Sequence, residues 1–583
     1  MENFMNGSIV ESLENKTIFI TGSTGFLAKI FVEKLLRVQP KLKHLFLLLR
    51  APDPESALQR FHTEVTSKEL FRVLRSTHGA KFNTFISEKV TVIAGDIALK
   101  NFGLGEDSDL LNKLFKDVDI VASFAATTKF IERYDVALEV NTLGAKNVLD
   151  FSKKCSKLEM LVHVSTAYVC GEESGVISEK PFLIGKTLNQ TSEILDIEAE
   201  LKHMRNRLEE LEALQVSKSE ETEAMENFGL ERSRAFGWPN TYVFTKAMGE
   251  MLIGKYGGNL PIVIIRPTII TGTYKEPFPG WIEGARTIDT FLVAGAKGKL
   301  PCFLGNAESM LDVVPGDMVA NAVIVAMVVN ANHQSSDPFI YQVCSSQTSP
   351  LSAIKLRDYS HSYLLKNPLI GKDGNPVNVV MPICLPTMDS FRRYIYVKYR
   401  LPLKVLELVN IALCQYFKNT CQVMNRKINR VMHLVEVHEP YIFFKGKFDD
   451  LNTERLRMAI RANETDTKLF YFDPKSLDWD DYFVNIHIPG LVKFVIPYVC
   501  GEKSGVISEK PLMMGETLNQ TSEVLDIEAE LKHMRTRLEE LKSLQVSKSE
   551  ETEAMENFGL ERARAFGWPN TCVHKGNGRD VNW

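Results

Sequence analysis

The cysteines of this sequence form no metal or disulfide pattern. There are nine in 583 residues, and no two of them stand in a Cys-x-x-Cys pair or at another zinc-ligand spacing. A structural zinc centre and a disulfide-stapled secreted fold are therefore excluded as the basis of the architecture. We expect a reduced, intracellular protein without a metal site.

Long apolar segments are also missing. The longest apolar run, Met318 to Ala331, has about 14 residues and includes Asn321 and Asn330, whereas a membrane-spanning helix needs about 20 apolar residues. Residues 1–7 lack the basic and apolar stretches of a leader, so neither a signal peptide nor a transit peptide is expected. These absences predict a protein without a membrane span that remains in the cytoplasm.

An excess of charge of either sign is absent as well. The 69 basic and 73 acidic residues give a net charge of -4, and 44% of the residues are hydrophobic. Nucleic acid is thus not expected as a partner, because such proteins carry a strongly basic surface. The composition is that of a globular protein, and the length predicts two or three domains.

What the chain does contain is an internal repeat. Residues 498–571 repeat residues 168–241 at about 64 of about 74 positions. The first copy continues into Tyr242 and Lys246, whereas the second continues into Cys572 and Gly576. Only the first copy is therefore followed by a Tyr-x-x-x-Lys pair, and we interpret the second as a non-catalytic duplicated fragment with a tail.

Strand-like and helix-like segments alternate from residue 16 to about 270, which is typical of a doubly wound, parallel Rossmann-type α/β sheet. We predict a catalytic domain over 1–350 with an insertion at 168–241, a mostly helical domain over 351–496, and the duplicated fragment at 497–583. The expected strands are 16–21, 44–49, 90–94, 120–124, 160–165 and 262–266, and the expected helices are 25–37, 134–153 and 242–256.

The insertion carries an apolar stripe at helical spacing from Ile194 to Leu214. We predict an amphipathic helix of five or six turns, and we favour a core-facing stripe over a coiled-coil partner face, because fewer than three full heptads are present.

A glycine-containing loop follows the first expected strand. Thr21, Gly22, Thr24 and Gly25 lead directly into an amphipathic helix that begins with Phe26 and Leu27. In this position the backbone N–H groups and the helix N-terminus can face a pyrophosphate, so a dinucleotide cofactor is expected here.

Two further strand ends bear on the cofactor. Arg50 ends the second strand, where a guanidinium would suit a 2′-phosphate and favour NADPH over NADH, although a solvated surface arginine is the alternative. Asp96 and Ile97 follow the third strand, where the carboxylate would meet the adenine or would stabilise the turn.

The candidate reacting groups are Tyr242 and Lys246, which lie one helical turn apart on one face. A neighbouring ammonium should lower the pKa of Tyr242 and make it a usable acid or base. Tyr394 and Lys398 have the same spacing by chance. Tyr242 differs because it opens a helix after a strand that ends in Ser165 and Thr166, whose hydroxyls can hold a substrate oxygen.

These motifs together resemble the alcohol-forming fatty acyl-CoA reductases of the plant male-sterility type. The resemblance covers about residues 10 to 496 and is carried by the segments 22–28, 125–128, 163–169, 242–246, 265–268 and 472–482. It implies an extended short-chain-dehydrogenase-like oxidoreductase of lipid metabolism that uses NADPH to reduce a long-chain acyl-CoA to an aldehyde and then to a primary alcohol, releasing CoA. It also implies the cytosolic face of the endoplasmic reticulum.

The resemblance implies roles for individual residues. Tyr242 would donate the proton, Lys246 would bind the nicotinamide ribose, and Thr166, or less favourably Ser165, would bind the carbonyl oxygen. Ala125, Ala126, Pro267 and Thr268 would line the ribose and nicotinamide. Ala28 and Lys129 depart from the expected pattern.

A long acyl chain needs an apolar slot, which we expect the insertion and the C-terminal domain to roof. Residues 391–430 carry nine basic residues and one acid. This segment would rest on an anionic membrane face, receive CoA phosphates, or form a solvated surface. The sequence does not indicate the oligomeric state.

Two alternatives to this function remain open. One is a reductase of the same scaffold that acts on a sugar nucleotide or a sterol. The other is an inactive product in which the second copy of the repeat competes for the docking groove of the first.

Overall fold

The computed structural model describes residues 7–189, 194–371, 374–412 and 418–499. The interpretation of the second repeat copy, and of the tail that follows it, falls almost wholly outside the described residues.

The centre of the fold is a seven-stranded parallel sheet with the order β7-β6-β5-β4-β1-β2-β3. Pairing is in register across its middle, where Ile20 of β1 lies between Leu47 of β2 and Ala122 of β4. The strands are β1 (Thr17–Thr21), β2 (His44–Leu49), β3 (Val90–Ala94), β4 (Ile120–Ser123), β5 (Met160–Val164), β6 (Ile262–Pro267) and β7 (Phe339–Val343). The predicted doubly wound α/β class is confirmed.

The edge strand β7 was not predicted from the sequence. It pairs with β6 in parallel, after an excursion of more than seventy residues along the chain. Its five residues include the polar Gln342, which is fully buried and donates its side-chain N–H to the Ile177 carbonyl at 3.0 Å, while its Oε1 has no partner among the described residues. A short strand with a polar residue at a buried position gives no clear apolar signal, which explains the omission.

Alternate residues of the strands supply two cores, one on each face of the sheet. Ile18, Ile20 and Leu47 pack with the helices 26–38 and 316–329. On the other face, Phe19 packs with Phe102 and Phe151. The apolar run from Met318 is thus a buried helix of the core, and no helix within the described residues is both long and apolar enough to cross a membrane.

The helices surround this sheet and its extensions. They are Ile9–Ser12, Phe26–Val38, Pro54–Phe61, Arg72–His78, Phe82–Lys89, Asp109–Asp117, Tyr134–Ala137, Gly144–Ser152, Ile197–Ala213, Lys218–Ala235, Thr241–Tyr256, Ile288–Ala296, Gly316–Val329, Ala353–Lys366, Met388–Ile395, Leu401–Ala412, Lys418–Ile442, Leu451–Ile460, Glu464–Leu469, Trp479–Asp481, Ile488–Phe494 and Ile496–Val499, with π-helical turns at His62–Thr66, Leu138–Leu143, Tyr396–Arg400 and Tyr482–His487. We call Thr241–Tyr256 the site helix.

The insertion holds two helices where one was predicted. In the helix Ile197–Ala213 the middle of the stripe is buried, as expected, but Ile194 is 77% exposed and Leu214 is 70% exposed. The second helix, Lys218–Ala235, was not anticipated because few of its positions are apolar. It buries Gly229 closely against Thr241, where a Cβ would lie 2.8 Å from the threonine hydroxyl.

The segment after residue 350 is mostly helical, as predicted, and short parallel strands join it to earlier parts of the chain. Ile383–Leu385 pairs with Cys302–Leu304, and Gly446–Phe448 pairs with Gly175–Ile177. The domain boundary at residue 350 stays a prediction.

Candidate active site

The loop after β1 is built for close approach to a ligand. Gly22 has φ 71°, and a Cβ there would lie 2.5 Å from the backbone nitrogen of Ala125. Any side chain at this position would therefore clash with the backbone that follows β4. The helix that starts at Phe26 has no side-chain cap at Gly25. Its first N–H groups are consequently available to an anion, as the sequence predicted.

A cavity of about 390 Å³ extends from this loop to the site helix and beyond. Its polar wall is formed by the loop and by the carboxyl ends of β5 and β6. Its remaining wall is mostly apolar, includes Arg286 and Arg357, and comes from residues 286–311, 353–382 and 438–442. The predicted site residues on the wall are Gly22, Gly25, Phe26, Leu27, Ala126, Ser165, Thr166, Tyr242, Lys246, Pro267 and Thr268.

Tyr242 stands at the start of the site helix, facing the cavity. Asn240 caps this helix by accepting from the Val243 N–H at 3.2 Å, and the ring of Phe130 stacks on Tyr242 at 6.1 Å. Burial raises the pKa of Tyr242 to about 12, while a hydrogen bond with Thr166 partly opposes this. The predicted lowering of this pKa by Lys246 is wrong, because the lysine charge does not contribute to it and desolvation prevails.

Lys246 points instead toward β5. Its fully buried ammonium donates to the Val164 carbonyl at 2.8 Å and to Nε2 of His163 at 3.2 Å. Burial lowers the pKa of Lys246 to about 8, although the Glu250 carboxylate raises it in part. The pair Tyr394 and Lys398, which has the same spacing, behaves differently. Lys398 donates directly to the Tyr394 hydroxyl at 3.1 Å, and neither residue lies on the cavity wall.

His163 is the partner of Lys246 that the sequence did not single out. It is buried, and desolvation together with the lysine charge moves its pKa well below the ordinary value. The ring is therefore neutral, and because Nε2 accepts from Lys246 the proton is on Nδ1. His163 thus holds the lysine side chain without adding a second positive charge.

Ser165 and Thr166 follow β5 and face the cavity. The Ser165 hydroxyl is buried and has no hydrogen-bond partner among the described residues. The Thr166 hydroxyl accepts from the Tyr168 N–H at 3.4 Å. A buried, unpaired hydroxyl on the same cavity wall as Tyr242 is suited to donate a hydrogen bond to a substrate oxygen.

The carboxyl end of β6 is held by contacts with the site helix and with Asp312. Arg266 forms a buried ion pair with Glu250 of the site helix, with three N–H···O contacts of 2.5 to 3.1 Å. Thr268 donates its hydroxyl to Asp312 at 2.9 Å. These contacts tie the site helix to β6 and so set the position of Pro267 and Thr268 on the cavity wall.

Other predicted cofactor residues lie off the cavity wall. Thr21 is buried and its hydroxyl accepts from the Ala125 N–H at 3.3 Å, while Thr24 is half-buried in the loop. Arg50 is exposed directly after β2. Asp96 accepts from the Ala98 N–H at 3.0 Å, as a turn-stabilising aspartate does, and Ile97 is buried. Arg50 and Asp96 nevertheless lie at the same end of the sheet as the loop, because β1, β2 and β3 are parallel neighbours and all three residues or loops follow the carboxyl ends of these strands.

The roof of the cavity differs from the sequence prediction. Of the insertion, only Tyr168 reaches the wall, because its two helices pack on the far side of the site helix. The C-terminal domain does contribute, through helix 353–366, residues 379–382 and the end of helix 418–442. The segment 286–311, which carries Arg286, was missed because no motif marks it. Grouped metal ligands are absent from the described part of the chain.

The parallel sheet, the glycine loop and the site helix define an NAD(P)-binding oxidoreductase. Sequence comparison then identifies the family. Models described as male sterility protein match residues 20–323 and 398–497. The alcohol-forming fatty acyl-CoA reductase of Simmondsia chinensis is 49% identical over 490 residues, spanning 84% of this chain and 99% of that protein.

A second plant relative gives the same result. The probable fatty acyl-CoA reductase 4 of Arabidopsis thaliana is 50% identical over 494 residues, spanning 84% of this chain and 100% of that protein. A solved reductase domain of a nonribosomal peptide synthetase from Mycobacterium tuberculosis has a TM-score of 0.49 and 16% identity, covering 85% of this chain and 97% of that one. The chain belongs to the male sterility family of fatty acyl-CoA reductases, which confirms the resemblance.

Proposed function

We propose that the protein reduces long-chain fatty acyl-CoA to the primary alcohol with two equivalents of NADPH, releasing CoA. The observation that carries this proposal is the single cavity that joins the glycine loop, Tyr242 and an extended apolar wall. The identity to alcohol-forming relatives supports the same reaction. A sugar nucleotide would be poorly matched to a wall made of Phe291, Leu300, Phe303 and Val380.

The nicotinamide cofactor fits the residues present. The uncapped helix start at Gly25 and the forced glycine at Gly22 form a cradle for a diphosphate. When bound, the cofactor supplies a hydride to the carbonyl carbon. Arg50 would meet the 2′-phosphate that distinguishes NADPH, since it is exposed directly after β2 at the carboxyl end of the sheet, where the glycine loop also lies.

The chain's own residues handle the oxygen and the proton. A Tyr242 pKa of about 12 keeps the phenol protonated at neutral pH, so Tyr242 can donate its proton as negative charge develops on the carbonyl oxygen. Thr166 and Ser165 orient that oxygen by hydrogen bonds. Lys246 provides a buried positive charge and a donor for the ribose. The same groups serve the acyl thioester and then the aldehyde.

The test of this function is the product formed by purified protein with NADPH and a long-chain acyl-CoA. A primary alcohol and one free CoA thiol should appear for every two NADPH consumed. Turnover of a sugar nucleotide or sterol, without alcohol from acyl-CoA, would favour the alternative reductase.

Replacing Arg50 with alanine is expected to reduce the preference for NADPH over NADH. The variant loses charge-assisted hydrogen bonds to the 2′-phosphate, each worth about 1.5–3 kcal/mol, so the ratio of kcat/KM values should fall by roughly tenfold or more. Steady-state rates with both cofactors measure this ratio. Lys43→Ala, an exposed charge at the opposite end of β2, is the control. An unchanged ratio in Arg50→Ala would assign the 2′-phosphate to other residues.

We infer peripheral binding to an anionic membrane through residues 396–408. Val397, Leu401, Val405 and Leu408 follow one another at helical spacing, and each is exposed. Basic side chains, among them Lys404, lie between them, which is the pattern of a helix that rests in a lipid interface.

The double variant Val405→Glu with Leu408→Glu should sediment less with anionic phospholipid vesicles than the wild-type protein does. Burying two carboxylates in the interface costs free energy and repels the lipid charge. Met458→Glu, at an exposed apolar position on another helix, is the control. Equal sedimentation of the double variant and the wild type would rule out this surface.

A further inference from the structure

The deeply buried cations of this fold are almost all neutralised by carboxylates. The pairs are Lys29 with Glu283, Lys34 with Glu276, Arg266 with Glu250 and Arg457 with Asp450. On the cavity wall, the buried Lys246 and the half-buried Arg286 differ, because no described carboxylate lies within ion-pair distance of either. Lys246 belongs to the reacting groups, so Arg286 is the cation without an assigned role.

The surroundings of Arg286 explain why it lacks an acidic partner. Its guanidinium lies 5.1 Å from the ring centre of Phe26 and donates to the Glu283 carbonyl at 2.6 Å. The Glu283 carboxylate is engaged with Lys29 and Lys68, and Asp289 accepts from His487 at 2.8 Å. Asp289 also accepts from the backbone N–H of Arg286 at 3.5 Å, so neither acid pairs with the guanidinium, which keeps donors for another acceptor.

The partial burial of Arg286 makes this arrangement unfavourable unless an anion completes it. Desolvation lowers the pKa of Arg286, and the charges of Glu283 and Asp289 offset this only in part. A half-buried guanidinium with one carbonyl acceptor has lost part of its hydration, whereas one that meets a phosphate is stabilised by charge-assisted hydrogen bonds.

The position of Arg286 indicates which kind of anion it meets. Phe26, under the guanidinium, is the first residue of the helix that follows the glycine loop, and the Trp281 ring stacks on the Phe26 ring with 5.1 Å between their centres. Arg286 and the uncapped N–H groups at Gly25 thus line the same part of the cavity. A guanidinium and a helix N-terminus together suit the paired phosphates of a diphosphate.

We propose that Arg286 binds a diphosphate group inside the cavity. The inference rests on the proposed function, which brings two diphosphates to this site, one in NADPH and one in CoA. Arg286 would then complete the anion site that the glycine loop begins. Its planar guanidinium binds two phosphate oxygens at once, which lysine cannot reproduce.

The test measures the Kd of NADPH by fluorescence and the Kd of free CoA by calorimetry, each for wild type, Arg286→Gln and Arg286→Lys. Arg286→Gln should weaken binding of one of the two ligands by roughly tenfold or more, and Arg286→Lys should weaken the same ligand less. The affected ligand identifies the source of the diphosphate. Thermal unfolding confirms that each variant is folded, and Arg286→Lys serves if Arg286→Gln is not.

Arg72→Gln is the matched control, because Arg72 also stacks on a phenylalanine, Phe278, but lies off the cavity wall and pairs with Glu69. It should leave both Kd values within twofold. If wild type binds both ligands and the two Arg286 variants bind them equally well, the inference is overturned while the proposed function stands. If wild type binds neither ligand, both are overturned.

Discussion

Tyr242→Phe is expected to lower kcat for alcohol formation by roughly 10²- to 10⁴-fold, the usual contribution of a positioned general acid. The variant removes only the phenolic oxygen, so the ring still stacks on Phe130 and the site helix keeps its Asn240 cap. The Kd of NADPH should therefore change little. Single-turnover measurement of NADPH oxidation with acyl-CoA separates the chemical step from cofactor binding.

Tyr394→Phe is the control for this substitution. Tyr394 also has a lysine four residues later, but it lies off the cavity wall and bonds to that lysine directly. Its variant should retain wild-type kcat. A Tyr242→Phe protein with undiminished kcat would remove the proton-donor role from this residue.

Lys246→Met is expected to lower kcat/KM by about 100-fold or more and to abolish its pH dependence between 7 and 9. In the wild type the ammonium loses its proton as the pH rises through its pKa of about 8, so kcat/KM should fall above that pH. We expect kcat/KM to fall rather than rise with pH because the protonated Lys246 is the form that donates to Val164, to His163 and to a bound ribose. Without an ionisable group at this position, the falling limb should disappear.

Lys398→Met, from the chance Tyr-x-x-x-Lys pair, should show the wild-type pH profile. A wild-type kcat/KM that stays constant up to pH 10 would show that the charge on Lys246 is not required. A falling limb that persists in Lys246→Met would assign it to another group.

The parts of the site that the sequence predicted depend on local chain geometry. Gly22 could be recognised because a strand, a tight turn and a helix follow one another within a few residues. Tyr242 and Lys246 could be recognised because one helical turn separates them. The six predicted strands of the sheet are likewise continuous apolar runs, as buried parallel strands should be.

The parts that the sequence did not predict depend on contacts between distant segments. Arg286 meets Phe26 across about 260 residues of chain, and no local pattern announces such a contact. The pKa of Tyr242 was assigned the wrong direction because the sequence shows that a lysine is one turn away but not that its side chain turns toward His163. Desolvation likewise becomes visible only once the cavity is assembled.

The first copy of the repeat is held in place by contacts that its sequence alone does not reveal. Glu200 accepts from the Tyr134 hydroxyl at 2.7 Å, and the Trp238 ring N–H donates to the Val169 carbonyl at 2.8 Å. The second of these contacts holds the segment immediately before Tyr242. The interpretation of the first copy as an insertion module of the catalytic domain stays a prediction.

The most direct test of the account follows the hydrogen that reaches the substrate carbon. Purified protein is given a long-chain acyl-CoA and NADPH that carries deuterium at the transferable C4 position, and the product is analysed by mass spectrometry. If one cavity carries out both reductions, the product is a primary alcohol with two deuterium atoms on C1 and free CoA is released. An aldehyde with one deuterium as the final product, or no labelled product at all, would contradict the account.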